Sequence, residues 1–128
     1  MYNIEVYVDK NGDSEIIDYL KSLRKNKGKE SKIKVEKIDA YVRLLRENGL
    51  PLNEKYVKKI DCELWELRPL RDRILFASLN NNKFILLSIF IKKTQKTPKR
   101  EIEKAKRLLR DYKERSVENE KISNMGRS

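Results

Sequence analysis

Histidine is absent from this chain of 128 residues, and cysteine occurs once, as Cys62. The lack of histidine removes the commonest general acid–base side chain, so any catalysis has to use Glu, Lys, Arg or Tyr. A single cysteine cannot form an internal disulfide, and no cluster of cysteines and histidines is present to bind zinc. We therefore expect a reduced, cytoplasmic protein that contains no metal and no other cofactor.

Long apolar stretches are missing as well. The chain has no run of about 18 apolar residues, the length that predicts a membrane span, and its N-terminus lacks the basic-then-apolar pattern of a signal peptide. A chain of 128 residues is expected to form one domain with a single modest core.

Charge is what the sequence has in excess. It contains 31 lysines and arginines against 20 aspartates and glutamates, a net charge of +11. Residues 1–20 contain five acidic residues and one lysine, hence −4, which leaves +15 for the rest. This asymmetry predicts a basic face and favours a nucleic-acid partner. The alternative is an excess of lysine that serves solubility.

Apolar periodicity predicts the N-terminal elements. Alternating apolar residues over 2–8 are typical of a half-buried strand. A helix follows with Asp13 or Ser14 as its cap, and then a second helix with Ser31 as its cap. Asn48-Gly49 is expected to end the second helix.

The C-terminal half predicts three strands and a helix. Residues 51–61 are expected to form a connector, and Asn80-Asn81-Asn82 a tight turn between the second and third of the strands, which cover residues 62–68, 73–79 and 84–91. Thr97 and Pro98 suit the N-cap and first position of the last helix. The prediction is an α+β fold with a small, mostly antiparallel sheet in the order β-α-α-β-β-β-α. It forms a domain over residues 1–115, followed by a flexible polar tail over 116–128.

Basic side chains lie at the ends of these predicted strands. Arg68 ends the first strand, Arg73 begins the second, and Lys93 follows the third. Arginine offers a planar fork of donors that matches phosphate and does not lose its charge. Glu66 lies two residues before Arg68, so its side chain is expected on the same face of the sheet. The pattern predicts a polyanionic ligand and leaves room for catalysis.

This stretch resembles the RelE superfamily of bacterial toxins. The resemblance rests on the order of elements, on Leu64-Trp65-Glu66-Leu67-Arg68, on Arg73, and on the run from Phe90 to Pro98, which reads Phe-Ile-Lys-Lys-Thr-Gln-Lys-Thr-Pro. The phage-derived Gp49-like branch, or HigB-type toxins, is the most similar, over about residues 2–112.

The resemblance implies the toxin of a type II toxin–antitoxin system. Such toxins are mRNA interferases: they cut messenger RNA in the ribosomal A site, block translation, and need no metal. A ribose 2′-OH attacks the adjacent phosphate, giving a cyclic phosphate and a free 5′-OH. The implied partners are the ribosome, mRNA and a cognate antitoxin of helix-turn-helix type, with operator DNA bound only through the antitoxin.

The resemblance also implies roles for individual residues. Arg73 matches the arginine that opens the strand after the turn, and Arg68 and Lys93 match basic positions expected to contact phosphate. Glu66 is the candidate general base, although a lysine could serve instead. The other expected RNA contacts are basic residues around these strand ends: Lys58, Lys59, Arg71, Lys92 and Lys96. No tyrosine or histidine lies between Lys93 and Asp111, so the general acid is left unassigned.

Other interpretations stay open. Arg68 and Arg73 are also suited to an ordinary ion network with Glu66 and Asp72. Trp65 fits a core position better than a base-stacking platform. At the level of function, the alternatives are a same-fold toxin that binds a protein target, as the ParE branch binds gyrase, and a non-catalytic nucleic-acid-binding module.

Overall fold

The computed structural model describes residues 1–80 and 82–125. It contains five strands and three helices in chain order: β1 (Asn3–Val6), α1 (Glu15–Lys25), α2 (Lys29–Asn48), β2 (Val57–Lys59), β3 (Leu64–Leu67), β4 (Asp72–Leu79), β5 (Lys83–Ile91) and α3 (Lys99–Met125). Within these residues, no helix combines the length and apolar character that crossing a bilayer requires.

The strands form one mixed sheet in the order β1-β5-β4-β3-β2. β1 runs parallel to β5, whereas the pairs from β5 through β2 are antiparallel. The predicted α+β fold and the mostly antiparallel sheet are confirmed. The prediction of a plain connector over residues 51–61 is wrong, because β2 lies within it and pairs with β3. Only Val57 of this short edge strand is buried, so the sequence shows no alternation there.

Helices cover both faces of the sheet. α1 and α2 pack on one face, where Ile16 and Ile38 meet Phe76. α3 packs on the other face, where Leu109 meets Leu75. β4 and β5 are therefore buried on both sides, which is what the continuous apolar run of β5 predicts. In the following sections, the side of the sheet that carries α3 is called the α3 face.

Three helix ends depend on particular residues. Ser14 caps α1 as predicted, since its hydroxyl accepts from the backbone N–H of Ile17. The predicted cap at Ser31 is wrong, because α2 begins at Lys29 with Gly28 as the N-cap residue. Gly49 ends α2 with a φ of 71°, a left-handed conformation that favours glycine.

β4 ends at Leu79 and β5 begins at Lys83, so the connection between them falls at the predicted turn sequence Asn80-Asn81-Asn82. Asn82 has a φ of 56°, a conformation that asparagine tolerates better than most residues do. Asn81 lies outside the described residues.

α3 is longer than the sequence predicts. The apolar face of the helix ends near Tyr112, and irregular structure was expected after about Arg115, but the helix continues to Met125. Arg115 holds this segment to the domain, because its guanidinium donates to the side chain of Asp111 and the carbonyl of Val8. Residues 126–128 of the predicted tail lie outside the described residues. The division into a domain over 1–115 and a flexible tail stays a prediction.

Candidate phosphate-binding site

Most of the predicted site residues meet in one recess on the α3 face of the sheet. It lies where β3 and β5 end and β4 begins. Seven predicted residues line it: Lys58, Glu66, Arg68, Arg73, Lys92, Lys93 and Lys96. We call this concavity the basic recess. The strand register explains the grouping, because Lys58 pairs with Glu66 and Arg73 pairs with Phe90, which packs with the α3-face core.

Glu66 is the buried centre of the recess, with 3% of its surface exposed. One carboxylate oxygen lies 3.6 Å from Nε of Arg68 and 3.7 Å from Nε of Arg73. The other oxygen accepts a hydrogen bond of 2.6 Å from the hydroxyl of Thr97. The ion network considered from the sequence is therefore present for Glu66, and it joins β3, β4 and the start of α3.

Arg73 is buried as well, with 7% of its surface exposed. Its Nη1 donates to the carbonyls of Leu70 and Asp72, at 2.8 and 2.9 Å. Burial lowers the pKa of Arg73 below its ordinary value, and the charge of Arg68 lowers it further, whereas Glu66 and Asp72 oppose this. Arginine nevertheless stays charged at neutral pH. Arg73 is therefore a fixed, partly desolvated cation and not an exposed residue at the strand end.

Arg68 lies nearer the surface, with 24% of its side chain exposed. Its Nη1 donates to the carbonyl of Glu54 at 2.9 Å, in the segment before β2. The carbonyl therefore holds the guanidinium by a hydrogen bond, whereas Glu66 attracts it as a charge only, since Nε of Arg68 is buried without a hydrogen-bond partner. Backbone carbonyls thus bind Nη1 of both arginines, and both guanidinium groups line the recess.

The turn from Lys92 to Pro98 closes the recess opposite the arginines. Its start is fixed by a backbone hydrogen bond of 2.7 Å from Lys92 N–H to the carbonyl of Arg71. Lys93 and Lys96 are exposed. Thr97 does not cap α3 as predicted, since its hydroxyl donates to Glu66, and the carbonyl of Pro98 accepts the first helical hydrogen bond.

Two predicted RNA contacts lie outside the recess. Lys59 is on the opposite face of the sheet, where its Nζ is 5.7 Å from the centre of the Trp65 ring. Trp65 itself packs against the core on that face, which agrees with the core interpretation. Arg71 is exposed and donates to the carbonyl of Lys92 at 3.1 Å, beside a second surface cavity that shares Arg73, Lys92 and Lys93 with the recess.

The basic recess is small. Its free volume is about 10 Å³, close to that of one water-sized group. The recess is therefore suited to receiving phosphate oxygens rather than a nucleoside. Within residues 1–80 and 82–125, no three His, Cys, Asp or Glu side chains form a group that could hold a metal ion.

Three features of this region have no signal in the sequence. Thr97 has the pattern of a helix cap, yet it contacts Glu66. Asp72 has the pattern of a partner for arginine, yet its carboxylate accepts from the hydroxyl of Tyr19 at 2.8 Å. Burial, and then this carboxylate, raise the pKa of Tyr19. The third feature is a cavity of about 950 Å³ beside the recess, formed by segments far apart in the chain.

The comparisons with known proteins identify a family. No curated protein matches the chain at a significant level. Residues 15–110 match the family described as Phage derived protein Gp49-like, and this match includes the whole basic recess. The chain therefore belongs to the phage-derived Gp49-like family of the RelE toxin-like superfamily.

Proposed function

We propose that this protein is the toxin of a type II toxin–antitoxin system and acts as a ribosome-dependent mRNA endoribonuclease that blocks translation. The supporting observation is the basic recess, in which Arg68, Arg73 and Lys93 surround one small space. A cluster of fixed cations of this size suits a single phosphate group.

The proposed reaction needs little beyond these cations. The ribose 2′-oxygen attacks phosphorus, its proton leaves to a base, and the bond from phosphorus to the 5′-oxygen breaks as that oxygen takes up a proton. The products are a 2′,3′-cyclic phosphate and a free 5′-OH. Negative charge accumulates on the non-bridging oxygens, so cations placed in advance stabilise the transition state. Arg73 and Arg68 provide this stabilisation, and Lys93 contacts the phosphate from the turn.

Glu66 has two roles in this proposal. Its carboxylate orients both arginines through their Nε atoms, a role supported by the distances of 3.6 and 3.7 Å. Its role as general base stays a prediction, since one oxygen already accepts from Thr97. Lys58 lies directly opposite Glu66 in the strand register and is exposed, so it is the lysine best placed to act as an alternative base.

Ribosome dependence follows from the shallowness of the site. A recess of about 10 Å³ cannot grip a strand of RNA, so the ribosome has to orient the message against it. Orientation of this kind supplies a large part of the barrier reduction in enzymes. The proposal therefore places the protein in the cytoplasm, together with the cognate antitoxin that silences it.

The test uses purified protein, translating ribosomes and a defined message, with cut sites mapped by primer extension. We expect efficient cleavage of the translated message, slow cleavage of the same RNA alone, and cyclic phosphate ends. Lys93→Ala is expected to lower the cleavage rate about a hundredfold, the usual effect of losing a transition-state contact. Lys37→Ala is the matched control, because Lys37 is an exposed lysine on α2, across the sheet from the recess.

Arg73→Lys is the sharper variant, since it keeps the charge but removes the fork that reaches both carbonyls and Glu66. We expect strong loss of cleavage. Wild-type cleavage in both Lys93→Ala and Arg73→Lys would exclude the recess as the active site. Stalled DNA replication without any cut message, after expression in bacteria, would favour a protein target instead. Binding of RNA without cleavage or growth arrest would favour a non-catalytic module.

A further inference from the structure

The cavity of about 950 Å³ adjoins the basic recess across the turn that follows β5. Five residues line both spaces: Phe90, Lys93, Thr94, Lys96 and Thr97. A ligand that reaches from one to the other passes over this turn. The cavity is much larger than the recess, so the two spaces suit different parts of one ligand.

The cavity exists because the end of β5 is paired with β4 on one side but has no strand on its other side. β1 pairs with β5 only as far as Leu86, which leaves residues 89–91 at an open edge. The carboxylate of Glu15, at the start of α1, accepts a hydrogen bond of 3.2 Å from the backbone N–H of Ile89 and also binds Lys104 of α3. Residues at the starts of α1 and α3 thus border the cavity beside the open edge of β5.

The walls of the cavity are apolar and aromatic. Ile89 and Ile91 provide aliphatic surface, and 44% of the surface of Ile91 is exposed. Phe90 and Tyr19 provide aromatic rings. Aromatic and aliphatic walls of this kind accept an unstacked nucleobase, because every base has an apolar face.

The rim of the cavity is cationic. Lys93, Lys96, Lys99 and Arg100 line it, and within the described part of the chain no ion pair involves the three lysines. Two acidic residues also line the cavity. Both oxygens of Glu15 are engaged, whereas one oxygen of Glu101 has Arg100 at 3.9 Å and the other is buried without a hydrogen-bond partner. A nucleic acid has an anionic backbone and bases with apolar faces, so it is complementary to an apolar cavity with a cationic rim.

We infer that this cavity is the subsite for the base of the nucleotide next to the cleaved phosphate. The inference rests on the proposed function and extends it from the phosphate to the nucleoside. With the phosphate at Arg68 and Arg73, the recess has no room for ribose or base, and the adjoining cavity is the large apolar space reached over Lys93. The base leaves the stack of the message and packs beside Phe90.

A binding experiment tests the subsite without relying on catalysis. The probes are two RNA trinucleotides with 2′-deoxyribose at the cleaved position, one complete and one abasic at the flanking nucleotide. The wild-type protein is expected to bind the complete probe roughly ten- to hundredfold more tightly, since base–aromatic stacking has about that effect. Equal affinity for the two probes, or no affinity for either, overturns the inference. Binding of an acidic peptide in place of both probes also overturns it and assigns the cavity to a protein partner.

Ile91→Trp fills the cavity without changing its charge. Ile33→Trp is the matched control, because Ile33 is an isoleucine on α2 with a similar exposed fraction, 41%. The Ile91→Trp protein is expected to bind both probes equally and to cut translated messages roughly ten- to hundredfold more slowly, with altered preference at the flanking base. Ile33→Trp is expected to behave as wild type.

The two proposals fail in distinguishable ways. If the wild-type protein discriminates between the probes but cuts no message, the base subsite is supported and the nuclease proposal is wrong. If the wild-type protein cuts messages and Ile91→Trp changes neither the rate nor the cut sites, the nuclease proposal is supported and the base subsite is wrong.

Discussion

Replacing Glu66 with glutamine tests how much the buried carboxylate contributes to holding the basic recess together. The change keeps the shape of the side chain and removes its charge. The amide can turn its oxygen towards the Nε–H groups of Arg68 and Arg73 and donate its NH₂ to the hydroxyl of Thr97, so the main loss is the negative charge. Two attractions between opposite charges become weaker contacts with a neutral amide, in a position with 3% exposure.

The expected loss of stability can be estimated from these distances. Unit charges about 4 Å apart attract by roughly 4 kcal/mol at an effective dielectric of 20. Removing the charge also removes the cost of burying it, and Arg68 is partly screened by solvent because 24% of its side chain is exposed. Breaking a buried pair by changing one partner typically costs 3–5 kcal/mol. We therefore expect the free energy of unfolding to fall by about 3 kcal/mol, or the Tm by roughly 10 °C.

The assay is urea unfolding at pH 7, with Glu63→Gln as the matched control. Glu63 has a shorter ion pair, 3.1 Å from Lys113, but half of its side chain is exposed. An exposed pair contributes at most about 1 kcal/mol. The buried Glu66 should therefore show the larger loss of unfolding free energy, although Glu63 has the shorter ion pair. If Glu66→Gln unfolds within about 0.5 kcal/mol of the control, the carboxylate is not the electrostatic centre of the recess.

Three further predictions concern acid stability, backbone strain and metal. The hydrogen bond from the Tyr112 hydroxyl, together with Lys83, lowers the pKa of Glu5 below its ordinary 4.5. The ionised Glu5 therefore stabilises the folded protein above about pH 4.5, and this stabilisation is lost as the pH falls through the lowered pKa. Tyr112→Phe should therefore lower the unfolding free energy by about 1 kcal/mol at pH 7 and by less below pH 4, in urea titrations at each pH. Gly49→Ala should lower the unfolding free energy by more than about 1 kcal/mol, because its Cβ would lie 2.5 Å from the Tyr2 ring. Gly12 also has a left-handed φ but has open space around it, so Gly12→Ala should lower the unfolding free energy by less in the same assay. Cleavage of isolated RNA should survive EDTA; activity that disappears with chelator and returns only with an added ion would contradict the proposed mechanism.

The fold was predictable wherever an element carries a periodic apolar pattern. β4 and β5 lie within one residue of their predicted bounds because both faces of each are buried. β2 was missed because a three-residue edge strand with one buried side chain has no period to detect. The end of α3 was placed too early because local backbone hydrogen bonds continue a helix beyond its apolar face.

The basic half of the site was predictable, and the apolar half was not. Strand ends are short-range features, so the sequence alone indicates that Arg68, Arg73 and Lys93 share one end of the sheet. The large cavity depends on where β1 stops pairing and on which helix ends stand beside β5, and both follow from packing between distant segments. The contact between Thr97 and Glu66 was hidden for the same reason, since it joins residues 31 positions apart.

The pairing of β1 has a consequence for the order in which the protein folds. Strands β2 to β5 form neighbouring antiparallel pairs, whereas β1 joins residues 3–6 to residues 83–86. Closing so long a loop is entropically slow, so β1 is expected to dock after the other strands. Val6→Ala should then speed unfolding and leave the folding rate unchanged. During synthesis, β1 is made well before its partner residues 83–86, so the sheet that carries the basic recess is completed only after β5 has left the ribosome.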